Sequence, residues 1–136
     1  MRAVFRWLAV LLFVAVVVQI ALAGYGAFHA VHAADHHAIS QKTINNAFNP
    51  HIALGYIIVI VMIVVLLVAA AGRLGKRAVQ LAALILVLGI VQAILGMASE
   101  STPALGPLHA LNALAIFVTT GLLAHRSSVR ERAPAS

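Results

Sequence analysis

Four stretches of the chain are almost unbroken in apolar character, at about 4–23, 51–71, 78–98 and 107–124, and the polar residues collect between them. Each is long enough to cross about 30 Å of hydrocarbon as a helix. None shows the period-two alternation of a barrel strand, and lipid offers no water to satisfy an open backbone. Each stretch must therefore close its hydrogen bonds within itself. The expected fold class is all-α: a polytopic membrane four-helix bundle built from two tandem helical hairpins, forming a single transmembrane domain over 1–136.

Composition narrows the picture. The chain is 63% hydrophobic and 9% charged, against about 25% charge in a soluble domain. With no cysteine there is no disulfide, thiolate metal site or cysteine nucleophile. The formal charge of +6 comes from nine basic residues placed singly or in small groups at the ends of apolar stretches, a distribution that argues against nucleic acid and for topology signals. Arg2 and Arg6 precede span one, Arg73, Lys76 and Arg77 join spans two and three, and Arg126, Arg130 and Arg132 follow span four, leaving only Lys42 in the opposite class of loop. The positive-inside rule then puts both termini in the cytoplasm and turns about 29–49 and 99–106 outward. Arginine over lysine, with abundant alanine and valine, points to a GC-rich bacterial genome and so to the bacterial inner membrane, with the lipid bilayer as the first partner. A rival reading of span one is a signal peptide, with Ala21-Leu22-Ala23 before Gly24 as its cleavage site. Retention is favoured by the length of the run and by Gln19 within it.

Gln19 matters because the two halves of the chain repeat. Val17-Val18-Gln19-Ile20-Ala21-Leu22 aligns with Ile90-Val91-Gln92-Ala93-Ile94-Leu95, and Asn49-Pro50-His51-Ile52-Ala53-Leu54 with Pro107-Leu108-His109-Ala110-Leu111. Each half reads as a helix with a glutamine, an outer connection, then a helix started by proline with histidine in its first turn. Asn49 is the expected N-cap of the second helix. Parallel repeats of this kind imply a pseudo-two-fold axis along the membrane normal.

Such an axis sets His51 and His109 at one depth, able to approach a central object from opposite sides, as a haem iron with two axial imidazoles requires. Small residues would make room for a flat guest: Gly55 below His51, Asn112 and Ala113 below His109, and Gly24, Gly26, Gly89 and Gly96 on the partner helices. Gln19 and Gln92 would point inward beside them. Met62 lies about 16 Å along the helix from His51, too deep to share an iron. The bland alternatives are interfacial histidines, glycines for close helix packing and interhelical glutamine hydrogen bonds.

The run Gln92-Ala93-Ile94-Leu95-Gly96, a short outer loop, and Pro107-Leu108-His109-Ala110-Leu111-Asn112-Ala113-Leu114 resembles one four-helix half of haem A synthase, a membrane protein of tandem four-helix bundles. The resemblance covers most of spans two to four and, more loosely, span one. It implies haem ligation by the histidines of the second and fourth helices near the outer surface, which by motif are His51 and His109. The chain departs from that family in having about half its length, no outer-loop cysteine pair and no glutamate in the first outer segment, where the family uses one to oxidise a haem methyl. Asp35 and Glu100 are the only outer acids. A haem b-binding bundle, not an enzyme by itself, is the implied function, passing electrons or supporting a haem-modifying or respiratory complex. The alternative membership is a group of small four-span proteins that share the fold and have lost the haem.

A second constellation is His29-Ala30-Val31-His32-Ala33-Ala34-Asp35-His36-His37. If helix one continues outward, His29, His32 and His36 share a face, and with Asp35 they offer ligands for zinc, copper or iron. Two further function classes remain beside the haem protein: a cofactor-free membrane subunit or scaffold, and a metal-binding or transport protein using these outer histidines. Trp7 reads as an interface anchor, and Thr119 and Thr120 as bonding their own helix backbone.

Overall fold

The computed structural model describes residues 1–36 and 40–132. Four long helices account for nearly all of them: α1 (Arg2–His36), α2 (Gln41–Ala71), α3 (Lys76–Ser101) and α4 (Gly106–Arg132), with one 3-10 turn at Pro103–Leu105 before α4. No strand occurs among the described residues. All four are long and apolar enough to cross a membrane, and each contains its expected span. Around the bundle α1 touches α2 and α4, and α3 touches the same two, so α1 faces α3 and α2 faces α4 across the diagonals.

The bundle has a closed half and an open half. At the closed end, buried positions recur at helical spacing: Phe5, Ala9, Leu12 and Val16 on α1, Ile58, Met62, Val65 and Ala69 on α2, Ala82 and Ile85 on α3, and Ile116 and Leu123 on α4. They form one cluster. The tight turn over 72–75 lies at this end, and Gly75 at φ 97° occupies a region that glycine enters without a steric cost. Thr120, the one fully buried polar side chain described, donates its hydroxyl to the Ile116 carbonyl at 2.8 Å, which satisfies it within its own helix. On the outer surface large apolar side chains such as Val14, Leu67, Val87 and Val118 stand exposed. Only 17–22% of each apolar window is buried within the bundle, a surface compatible with a lipid bilayer.

The start of α2 differs from the expectation. Pro50 does not open the helix and Asn49 does not cap it: α2 begins at Gln41, Ser40 is the N-cap, accepting from the Thr43 N–H at 3.2 Å, and Pro50 lies inside. An interior proline removes one helical hydrogen bond and crowds the preceding turn. Tertiary packing offsets this. The added turns place Ala47, 1% exposed, and Phe48 against α1 at Gly26, where a Cβ would come within 2.8 Å of the Phe48 ring and 3.0 Å of the Ala47 carbonyl. Helix α1 likewise runs on to His36, so most of the expected outer segment is a pair of helical extensions. Pro107, by contrast, is the second residue of α4, close to the position expected.

Candidate functional site

The two histidines of the repeat lie at the open end, each half-buried and gripped by a glutamine of the preceding helix. His51 Nδ1 donates to the Gln19 carbonyl at 3.1 Å. A carbonyl only accepts, so the ring proton sits on Nδ1 and the Nε2 lone pair is free to accept. Gln19 Nε2 fills that role at 3.3 Å while also donating to the His51 carbonyl at 2.8 Å, a second carbonyl that fixes which end of the amide is nitrogen.

The same grip recurs between α3 and α4. His109 Nδ1 donates to the Gln92 carbonyl at 3.2 Å, and Gln92 Nε2 donates to His109 Nε2 at 2.9 Å. Here a further residue joins. Asn112 Nδ2 donates to the Leu88 carbonyl at 2.9 Å and to Gln92 Oε1 at 2.8 Å. One backbone carbonyl thus orients Asn112, which orients Gln92, which meets the His109 lone pair.

These two units bring the rings together across the α2–α4 diagonal. The His51 and His109 centroids are 6.4 Å apart with their planes at 60°. Between the helices lies a cavity of about 570 Å³ lined from all four of them, with Gln19, His51, Gln92 and His109 among mainly apolar walls. That volume is in the range of about 300–1,000 Å³ typical of cofactor pockets. Two of the expected small residues bear directly on the site: a Cβ at Gly55 would lie 3.2 Å from Gln19 Nε2, and one at Gly96 would lie 3.3 Å from His109 Cε1. Glycine at these positions lets the glutamine and the imidazole lie flat against the neighbouring helix.

Of the residues expected at the site, His51, His109, Gln19, Gln92, Gly55 and Gly96 line the cavity. Asn112 does not line it and acts through Gln92 instead. Gly89 lines it beneath Met62, whose sulfur would collide with a Cβ there. Gly24 has open space around it, and Gly26 serves the α1–α2 contact. Phe48, Tyr56 and Glu100 also line the cavity, and Phe48 meets His51 edge-on at 6.5 Å. Phe48 is three residues before His51, a one-face spacing that becomes visible only once α2 is known to start before Pro50.

The outer histidines lie on the extended α1 but do not converge. His36 Nδ1 donates to the His32 carbonyl at 3.0 Å and the two rings lie 4.3 Å apart, while His29 stacks on Tyr25 at 5.7 Å. Among the described residues no group of three or more His, Cys, Asp or Glu side chains is arranged to hold a metal ion. His37 lies outside the described residues. At the opposite end Trp7 is exposed with the Arg6 guanidinium over its ring at 5.1 Å. No protein-family model, curated protein sequence or solved structure matches this chain.

Proposed function

We propose that this chain is a multi-pass protein of the bacterial inner membrane that holds one haem b between His51 and His109. The observation that carries the reading is the pair of imidazoles 6.4 Å apart, each with Nδ1–H engaged by a carbonyl and with Nε2 as the lone-pair atom, met by a glutamine amide that a metal would have to displace. The two rings are close enough for His51 and His109 to hold one metal between them once the glutamine amides release their Nε2 atoms. A carbonyl on the far ring nitrogen is also the usual outer partner of a metal-ligating histidine. The residues present therefore fit the group. The likeness to one half of haem A synthase supports the same ligand pair, and the two glutamine–histidine units support a bundle of two tandem hairpins. Bound haem b would supply one-electron chemistry at iron. The chain's part is to orient two imidazoles, surround them with mainly apolar walls, and sit within reach of a membrane redox or respiratory partner. The cluster of Arg73, Lys76 and Arg77 at the closed end supports placing that end, and both termini, in the cytoplasm.

The test is an absorption spectrum of the detergent-purified protein, oxidised and then reduced. A bis-imidazole spectrum near one haem per chain is expected; a colourless protein that co-purifies with a membrane complex would instead select the scaffold reading. Gly96→Leu gives a second check. Its side chain must displace His109, 3.3 Å from the position of the Cβ, so haem affinity is expected to fall at least about tenfold. Gly24→Leu, into open space, should leave it unchanged.

A further inference from the structure

The two rings are fixed alike at Nδ1, each donating to the carbonyl of its glutamine, at 3.1 Å for His51 and 3.2 Å for His109. They differ at Nε2, the atom a metal would take. His109 Nε2 accepts from the Gln92 amide at 2.9 Å, and that amide is held from behind: its Oε1 accepts from Asn112, whose Nδ2 also donates to the Leu88 carbonyl. His51 Nε2 lies a longer 3.3 Å from Gln19 Nε2, whose short bond, at 2.8 Å, goes to the His51 carbonyl. Gln19 Oε1 is buried with no hydrogen-bond partner among the described residues. The repeat explains the difference: three residues after His109 stands Asn112, and three after His51 stands Leu54.

Opening the two lone pairs therefore costs different amounts. Turning Gln92 away from His109 gives up a short hydrogen bond and breaks the one from Asn112, leaving polar groups unpaired in a mainly apolar site. Turning Gln19 away from His51 gives up only a long contact at the ring and releases an acceptor that is stranded where it stands. We infer that Gln92, braced by Asn112, is a latch over the His109 lone pair, and that His51 is the imidazole an incoming metal group meets first. His109 joins second, when the latch swings out. In this role Gln92 and Asn112 oppose ligation at His109 and set its order after His51. That order rests on the haem reading above; the latch itself is a property of the protein alone.

Two measurements test this. In haem-free protein labelled with ¹⁵N-histidine in micelles, both rings should show a protonated Nδ1 and an unprotonated Nε2. The His109 Nε2 should resonate at lower frequency than that of His51, because it accepts the stronger hydrogen bond. Gln92→Leu keeps the backbone carbonyl that holds Nδ1 and removes the amide, so it should raise the His109 Nε2 frequency and leave His51 in place. Asn112→Leu should raise it part of the way. In haem titrations Gln92→Leu should bind about fivefold more tightly than the wild type, the net worth of one hydrogen bond, whereas removing a residue that merely supports the site would weaken binding. His109→Ala, left with the open His51, should hold haem more tightly than His51→Ala, and adding Gln92→Leu to His51→Ala should close that gap. Equal Nε2 frequencies in the wild type, or a Gln92→Leu variant that binds haem more weakly at unchanged helical content, would overturn the inference. Nε2 signals that differ and respond as described, in variants none of which takes up haem, would sink the haem reading and leave the latch standing.

Discussion

Replacing His51 and His109 together by alanine is expected to give a bundle that takes up no haem yet keeps its helical content, and either replacement alone is expected to abolish the bis-imidazole spectrum. The separation of the two effects follows from where the side chains lie. Neither histidine belongs to the buried cluster; both stand half-exposed at the open end, against the cavity. Each ring removed leaves a glutamine carbonyl and a glutamine Nε2 without that partner. Stranding a buried polar group costs about 1–3 kcal/mol, and partial exposure lowers that figure. The haem term is different in kind, because among the described residues no other imidazole lines the cavity, and loss of both removes the proposed ligand pair. The comparison is haem absorbance per protein against far-ultraviolet circular dichroism, and a double variant that retains wild-type haem would remove the assignment.

The four helices were legible because helices long and apolar enough to cross a membrane announce themselves by apolar length alone, and the candidate site was legible because a repeat doubles its own signal. One glutamine or one histidine near a membrane surface says little; the matching places of Gln19 with His51 and of Gln92 with His109 singled out four residues, which the structure joins in two hydrogen-bonded pairs. The start of α2 was not legible. Pro50 after Asn49 has the local chemistry of a helix opening, and what overrides it is a contact with Gly26 on another helix, which no window around residue 50 contains. The same limit applies to Asn112. Its place one turn from His109 was readable, but its amide is directed by a carbonyl of α3, so a residue expected to line the site instead braces Gln92, which does line the cavity. For the outer histidines the one-face spacing was correct for α1, and the rings pair off locally, with Tyr25 taking His29.

A different result is expected at the closed end, where Leu12→Ala should lower the unfolding free energy by about 2 kcal/mol. Leu12 is fully buried and among the largest such side chains. In a soluble core, Leu→Ala costs about 2.7–5 kcal/mol as a sum of lost transfer energy and residual cavity. In a bilayer or micelle the transfer part largely vanishes, since a separated helix keeps its leucine among lipid tails as apolar as itself. The cavity part survives: about 24 cal/mol per Å³ over the roughly 80 Å³ of side chain removed gives the stated figure. Leu67→Ala removes the same atoms from a side chain that is 61% exposed on the outer face of α2, where lipid refills the space, so its cost should be near zero. Reversible denaturant titration in mixed micelles measures both. A Leu67 variant as destabilised as the Leu12 variant would mean that close packing of the closed half does not hold these helices together, and the open cavity beside His51 and His109 would then lack the rigid floor on which its geometry depends.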